Sequence, residues 1–114
     1  MVVYVYRFEV LAGRDADFEQ AWAEVTLGYL AHAGSLGSRL HRDERGIYWA
    51  YAQWPSRAAR EAANLDAIAG GSQAGARMTK ACLSSSCEHV WDVENDLLKI
   101  RQVSSRPPQN AQSP

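Results

Sequence analysis

The most apolar stretch of the chain covers residues 46–54, where aromatic and apolar residues occupy nearly every position. Such a run is typical of a strand that is covered on both faces. Pro55 ends the run because it lacks a backbone donor, and Ser56 can cap a helix that begins at Arg57. The pattern therefore predicts a central strand that leads directly into a capped helix.

An alternating segment and an amphipathic segment precede this strand. Residues 2–10 alternate with a period of two and predict a first strand, largely apolar on both faces at its start. Asp15 is placed to cap the helix that follows, and the helix is expected to reach about His32. Spacings of four, three and four place four large residues on one stripe of that helix: Phe18, Trp22, Val25 and Tyr29.

Residues 35–42 alternate again and predict a second strand, joined to the central strand by a polar hairpin at residues 43–46. The helix capped by Ser56 carries small residues at helical spacing: Ala58, Ala62, Leu65 and Ala69. Because these side chains are small, the helix is expected either to lie very close to the sheet or to leave a cavity beneath it.

The last part of the chain predicts one more helix and one more strand. The pair of glycines at residues 70 and 71 is expected to break the second helix, and a short further helix is expected over residues 74–82. Residues 86–93 predict the last strand. We expect one domain over residues 1–100 and a disordered polar tail over residues 101–114, since the tail cannot bury enough apolar surface to order itself.

The order of elements is strand, helix, strand, strand, helix, strand. It predicts an α+β fold of the ferredoxin-like βαββαβ type, a four-stranded antiparallel sheet with helices on one face. Helices on one face leave the other bare, although that face also carries large apolar residues. An open apolar face of that area is rare on a soluble monomer, so a homodimer that packs sheet against sheet is expected.

Length and charge limit the classes of function. The chain has 114 residues, with 12 Lys and Arg against 13 Asp and Glu, which gives a formal net charge of −1. This balance gives no electrostatic reason to expect a nucleic acid or an anionic membrane as a partner. No apolar run is long enough to span a bilayer, and the first residues lack the form of a signal peptide. A soluble cytosolic protein is therefore expected.

The two cysteines, Cys82 and Cys87, are separated by four residues. This spacing, without further Cys, is a poor zinc signature. A disulfide across the intervening turn is sterically possible, but a reducing compartment favours two free thiols. No metal site is predicted.

Four segments of the sequence resemble the antibiotic biosynthesis monooxygenase (ABM) superfamily. They are YRFEV at residues 6–10 with Gly13, FExAW at residues 18–22, GSLGSRLHR at residues 34–42, and YAQWPS at residues 51–56. The resemblance covers roughly the first 70 residues well and the remainder in outline. These motifs are mostly structural, so they specify the fold better than a reaction.

The resemblance implies a dimeric α+β barrel with a ligand cleft between the sheet and the helices of each subunit. Some relatives oxygenate polycyclic aromatic phenols or quinols without metal or flavin, and others degrade haem. The haem-degrading branch needs an Asn on the first strand, then a Trp and a His on the second helix. By alignment those positions hold Tyr6, Ala63 and about Gln73. Haem degradation is therefore rejected, and no cofactor is expected.

Oxygenation without a cofactor needs a substrate that can pass an electron to oxygen once it is deprotonated. The protein would supply a base, polar groups that hold the anion, and a dry pocket. The resemblance implies polar candidates for this work, of which Tyr6 matches a cleft position in relatives: Tyr6, Arg39, His41, Asn64 and His89. Candidates for the apolar walls around a small aromatic molecule are Trp22, Tyr29, Trp49, Tyr51 and Trp54.

Two other functions remain open at this point. Several quinol-oxygenating relatives carry a His on the second helix, and residues 56–80 contain none. A dimeric module that binds a small molecule or acts in stress response without catalysis is the main alternative. A purely structural dimerisation unit is the other. The candidates also have structural interpretations, as core residues for Trp22 and Trp54 and as solvated or interface residues for Arg39 and His41.

Overall fold

A computed structural model describes residues 1–99 of the chain. The sheet is built from β1 (Val2–Val10), β2 (Gly37–Arg42), β3 (Tyr48–Trp54) and β4 (Cys82–Asp92). Three α-helices, α1 (Asp15–His32), α2 (Arg57–Ala62) and α3 (Gly71–Lys80), accompany it, with a 3-10 turn at Leu65–Ala67 between the last two. The predicted βαββαβ order is confirmed, with the second helical region divided into three pieces.

The four strands form one antiparallel sheet in the order β2-β3-β1-β4. The pairs Val5–Tyr51 and Arg39–Tyr51 fix the register of the three strands on one side. On the other side of β1 the pairing with β4 shifts between Val5 and Tyr6, so that Tyr6 lies opposite Cys87. The predicted ferredoxin-like topology is confirmed.

Alternation along β1 separates the two faces of this sheet. The even-numbered residues face the helices and form the core in two clusters. Val2 and Tyr4 are buried with Trp54 in one, and Phe8 is buried with Phe18 of α1 in the other. The odd-numbered residues, with their cross-strand partners, form the opposite side of the sheet, which we call the open face. It consists of Val3, Val5, Arg7, Glu9, Arg39, His41, Trp49, Tyr51, Gln53, His89 and Trp91.

Helix α1 packs on the sheet through the stripe that its spacing predicts. Phe18 and Val25 are buried, whereas Trp22 and Tyr29 are partly exposed. The ring of Phe18 lies 4.9 Å from the ring of Tyr48, centroid to centroid. The Tyr48 hydroxyl donates to Glu19 of the same helix, and burial together with this carboxylate raises the pKa of Tyr48 to about 12. These contacts hold α1 against β3.

The predicted cap of α1 is wrong. Asp15 is the first helical residue and not the cap, and Arg14 precedes it without a side-chain capping bond. The carboxylate of Asp15 instead accepts from Arg42 at 2.9 Å, so it links the start of α1 to the end of β2. A cross-element ion pair thus replaces the local hydrogen bond that the sequence suggested.

The predicted course of the second helix is partly wrong. Ser56 caps it as predicted, accepting from the backbone N–H of Ala59 at 3.1 Å. The helix ends at Ala62 and buries none of its residues, so the predicted small-residue stripe does not face the sheet. Gly70 adopts φ +76° and begins α3 instead of ending a long helix.

Helix α3 is bound tightly to the turn before it. The backbone N–H of Gly71 donates to the carbonyl of Ile68 at 2.8 Å, and a Cβ at Gly71 would lie 2.1 Å from the carbonyl oxygen of Leu65. Arg77 of α3 donates to both carboxylate oxygens of Glu24 on α1, at 2.6 and 3.2 Å. The helix is therefore longer than the predicted segment at residues 74–82 and is fixed at both ends.

The last strand begins at Cys82, four residues before the predicted start. Cys82 lies opposite Val10 and Cys87 lies opposite Tyr6 on β1, so the two cysteines are about 13 Å apart along the sheet. A disulfide requires Cα atoms within about 7 Å. Both thiols are free, as predicted. The tail predicted at residues 101–114 lies outside the described residues.

Within residues 1–99, none of the helices has the length and apolar character needed to cross a membrane.

Candidate functional site

A cavity of about 370 Å³ lies between the inner face of the sheet and the helices, and we call it the cleft. Its origin is the inner face of β3, which reads Tyr48, Ala50, Ala52, Trp54. The small side chains of the two alanines leave space above the middle of the strand, while the two large rings occupy the space above its ends. The sequence of one strand thus produces a hollow over the centre of the sheet.

The walls of the cleft come from every layer of the fold, and most of them are apolar. Helix α1 supplies Trp22, Val25, Thr26 and Tyr29. The strands supply Tyr6, Phe8, Ser38, Ala50, Ala52, Trp54, Ser85, Ser86 and Cys87. Ser35, Arg60, Leu65 and Met78 complete the lining. A cavity of this size and character falls within the usual range for small-molecule sites.

Arg60 of α2 is the cationic residue of the lining. Its guanidinium carbon lies 5.4 Å from the ring centre of Tyr29, 5.5 Å from that of Trp54 and 5.9 Å from that of Tyr4. These distances are within the range of cation–π attraction. The Nε atom of Arg60 also donates to the hydroxyl oxygen of Tyr6 at 3.2 Å. Arg60 therefore sits in an aromatic box with one nitrogen directed at Tyr6.

Tyr6 keeps its proton at neutral pH. Burial raises the pKa of Tyr6 above its ordinary value of 10.0, although the hydrogen bond from Arg60 and its positive charge oppose the rise. Because the hydroxyl oxygen accepts from Arg60, the hydroxyl hydrogen is left to donate. Tyr6 and Arg60 together can hold a negatively charged oxygen, by the same physics as an oxyanion hole.

A second polar point in the cleft is the hydroxyl of Ser38 on β2. Its oxygen is buried and has no hydrogen-bond partner among residues 1–99. Ser38 lies opposite Ala52, and Ala52 lies opposite Tyr4, so Ser38 and Tyr6 are about 12 Å apart across the sheet. The cleft therefore offers, at well-separated positions, a cationic donor pair and a buried hydroxyl that has no partner among the described residues.

The structure brings four of the predicted site residues into the cleft: Tyr6, Trp22, Tyr29 and Trp54. Their roles in binding or catalysis stay predictions. Tyr29 and Trp54 pack edge to face, with ring centres 5.5 Å apart, so they serve the core as well as the cavity wall.

Five other predicted residues lie on the open face and not in the cleft: Arg39, His41, Trp49, Tyr51 and His89. Their placement in the cleft is wrong because they lie on the side of their strands that faces away from the helices. His89 is two residues from Cys87, which lines the cleft, but the register shift in the pairing of β1 with β4 sets His89 opposite Val5 on the open face. His89 stacks on Trp91 with ring centres 4.8 Å apart, and Trp49 donates to Asp43 of the hairpin at 3.1 Å. The sequence pattern showed two faces without indicating which one the helices cover.

Asn64 also lies outside the cleft. Its side-chain oxygen accepts from the backbone N–H of Asp66 at 3.1 Å and caps the 3-10 turn. It borders a separate shallow groove between the end of α1 and α2, which also contains His32 and Ala62. Two of the alanines expected beneath the second helix, Ala62 and Ala69, thus line this groove instead.

Sequence reasoning missed Arg60, the most informative polar residue of the cleft. It stands one turn after the Ser56 cap in a helix that buries no residue, where an arginine is normally solvated. One sequence signal could have identified it. Arg60 follows Ser56 by four residues, so it lies on the same side of the helix as the cap and therefore near the end of β3.

Groups that could bind a metal ion or act as a base are scarce around this cavity. Among residues 1–99 no set of three or more His, Cys, Asp or Glu side chains is grouped closely enough to hold a metal ion. In the same part of the chain, the lining of the cleft contains no carboxylate and no imidazole. The titratable groups that do line it are Tyr6, Tyr29, Arg60 and Cys87.

Comparisons with known proteins agree with the fold. A family model described as antibiotic biosynthesis monooxygenase matches residues 1–65. Two crystal structures of SnoaB, a cofactor-independent oxygenase from Streptomyces nogalater, are 22% and 24% identical to the chain, with TM-scores of 0.68 and 0.65. Each match covers 86% of this chain and 97% of SnoaB.

A protein of Caulobacter crescentus is 20% identical, with a TM-score of 0.67, over 82% of this chain and 90% of that one. No curated protein matches the sequence.

Proposed function

Because the chain belongs to the antibiotic biosynthesis monooxygenase family, we propose that it oxygenates an aromatic phenol or quinol in the cleft without a bound cofactor. The observation that carries this proposal is the Arg60–Tyr6 donor pair in the wall of an otherwise largely apolar cavity. The fold that the chain shares with SnoaB, which is a cofactor-independent oxygenase, supports it.

The reaction balances without an external reductant. A phenol or quinol that carries hydrogen on a ring carbon ortho or para to a hydroxyl reacts with O2 to give a quinone and water. One oxygen atom enters the substrate, and the other leaves as water with the two hydrogens that the substrate loses. The first requirement is the phenolate anion, which can pass an electron to O2. A donor pair that stabilises this anion increases the fraction of bound substrate that is ionised and therefore able to make that transfer.

Oxygen uptake tests the proposal. Purified protein is mixed with naphthols, hydroquinones and larger hydroxyarenes, and oxygen consumption and incorporation of oxygen-18 from labelled O2 are followed. We expect uptake above the buffer rate and one labelled oxygen atom in the product. Uptake no faster than in buffer across the whole panel would refute catalysis.

A pair of neighbouring substitutions on β3 locates the reaction. Ala52→Phe fills the cleft, whereas Tyr51→Phe removes one hydroxyl from the open face. We expect Ala52→Phe to abolish uptake and Tyr51→Phe to leave it unchanged. If both variants fold but neither consumes oxygen, the reaction does not depend on the cleft alone, and its location in the cleft is refuted.

A second function is favoured by one specific observation. No carboxylate or imidazole lines the cleft within the described residues, so a general base of the usual kind is missing there. A module that binds an aromatic small molecule without converting it needs no such base. Saturable binding of the same phenols without oxygen uptake would select this function.

We also propose that two copies of the chain associate through the open face. This surface carries Val5, Trp49, Tyr51 and Trp91, and Trp91 is 51% exposed in the single chain. Large rings on an exposed sheet face are typical of an interface. An isologous pair would cover this face in both copies while leaving the two clefts on the outer sides of the assembly.

A further inference from the structure

The ion pairs of the protein single out Arg60. Within residues 1–99, most arginines lie within 4.0 Å of a carboxylate, and Arg39 and Arg60 do not. Arg39 is exposed on the open face, where water can solvate its charge. Arg60 is partly buried in the wall of the cleft. A guanidinium that is partly withdrawn from water without an anionic partner is costly, and it attracts an anion.

The hydrogen bonds of Arg60 leave its outer donors unused. Only Nε has a partner, the Tyr6 hydroxyl at 3.2 Å, and neither terminal nitrogen has one among the described residues. The rings of Tyr4, Tyr29 and Trp54 surround the guanidinium and fix its position. A planar fork with free donors that is held rigidly beside a cavity is suited to an oxygen anion.

We infer that Arg60 is the residue that binds the substrate oxygen and keeps it ionised, so that the cleft selects aromatic oxyanions over neutral aromatics of the same shape. This inference rests on the function proposed above and names what replaces the missing base. The phenol proton is lost to water, and the charge of Arg60, with the Tyr6 hydroxyl as second donor, holds the resulting anion. No side chain of the cleft needs to accept the proton.

Titration of a bound phenol in the absence of oxygen tests this inference. The probe is 2-naphthol, whose absorbance distinguishes naphthol from naphtholate, and the control ligand is 2-methoxynaphthalene, which cannot ionise. We expect the wild-type protein to lower the pKa of bound 2-naphthol by about 1 unit or more, which is about tenfold tighter binding of the anion than of the neutral form. Methoxynaphthalene should bind about as tightly as neutral naphthol.

Arg60→Met keeps the bulk of the side chain and removes its charge, and Arg60→Lys keeps the charge without the fork. We expect Arg60→Met to abolish the lowered pKa and to weaken naphtholate binding about tenfold or more, with methoxynaphthalene affinity changed less than about threefold. Arg60→Lys should retain part of the effect. The matched control is Arg57→Met, which removes a charge from the same helix at a residue that pairs with Asp92 outside the cleft.

The outcomes separate this inference from the proposed activity. Naphtholate binding with a lowered pKa, together with oxygen uptake no faster than in buffer for every phenol of the panel, supports Arg60 as the anion site and refutes the oxygenase. A bound naphthol whose pKa in the wild-type protein equals or exceeds its value in water overturns the inference, whatever the variants do. Equal naphtholate affinity in wild type and Arg60→Met also overturns the inference. The absence of saturable naphtholate binding to the wild-type protein overturns it as well.

Discussion

Replacement of Gly71 by alanine is expected to destabilise the protein strongly, because α3 begins in direct contact with the preceding turn. A Cβ at this position would lie 2.1 Å from the carbonyl oxygen of Leu65 and 3.2 Å from its carbonyl carbon. Ordinary van der Waals contact begins at 3.4 Å. The backbone of the turn must therefore move by about 1 Å, which overpacked sites permit only at a cost in stability.

The magnitude follows from what has to move. Overpacking typically costs about 1–3 kcal/mol, and contact with a backbone atom favours the upper part of that range. Gly71 is the first helical residue, so alanine gains little helix propensity there in compensation. A net loss of about 3 kcal/mol in the free energy of unfolding corresponds to a fall in Tm of roughly 10–20 °C for a domain of this size.

Gly75→Ala is the matched control. Its Cβ would lie 2.9 Å from Cδ2 of Leu65, which is the far end of a flexible side chain and can rotate away. Alanine in a helix interior is favoured over glycine by about 0.5–1 kcal/mol, so the net change should stay within about 1 kcal/mol. Thermal unfolding followed by circular dichroism and urea titration measure both variants.

A double substitution distinguishes the backbone contact from a side-chain contact. Leu65→Ala shortens the side chain and leaves the carbonyl in place, so it should not rescue Gly71→Ala. Rescue of Gly71→Ala by Leu65→Ala, or a Tm for Gly71→Ala within a few degrees of wild type, would refute the assigned contact. Because Leu65 also lines the cleft, Gly71→Ala should weaken binding of 2-naphthol even at temperatures where it is folded.

Two further predictions concern alkaline pH and assembly. The pKa of Tyr48 is about 12 in the folded protein against an ordinary value of 10.0, so the folded state holds this proton more tightly. The contribution of Tyr48 to the free energy of unfolding should be complete below pH 10 and lost between pH 10 and 12. Tyr48→Phe should remove this loss, as measured by urea unfolding at several pH values. The same pH dependence in Tyr48→Phe and wild type would contradict the raised pKa of Tyr48. On the open face, Val5→Glu should convert a dimer into a monomer in light scattering, whereas Leu27→Glu on the exposed side of α1, 63% exposed, should not; a monomeric wild-type protein at micromolar concentration would refute the dimer.

The periodic pattern of the sequence predicts the fold well where elements are long. The nine residues of β1 and the four-residue stripe of α1 have strong periods. β1 has the predicted bounds, and α1 ends at His32 as predicted but begins at Asp15, which was the predicted cap. The region after Ser56 has small residues at several spacings, so the same pattern suits a long helix or a short helix, a turn and another helix. The contact between Gly71 and Leu65 decides between them, and that contact is tertiary.

The candidate site could be predicted only in part, because a strand gives two faces without indicating which one is covered. Tyr6 and Trp54 lie in the cleft as predicted, whereas Tyr51 lies on the other side of β3 and His89 on the outer side of β4. Arg60 was missed because its environment includes Tyr4 and Tyr29, which are distant from it in sequence. Local patterns identify which residues are large or charged, and the packing of α2 determines which of them meet.

Successive residues of β3 belong alternately to the cleft and to the open face, which affects how the protein can evolve. Ala50 and Ala52 shape the hollow, and Trp49 and Tyr51 point the other way, so adjacent codons serve different surfaces. A larger residue at Ala52 can narrow the choice of ligand without touching the opposite surface, and a polar residue at Tyr51 can alter that surface while the hollow keeps its shape. One seven-residue segment therefore allows chemistry and association to diverge separately among descendants of the same ancestor.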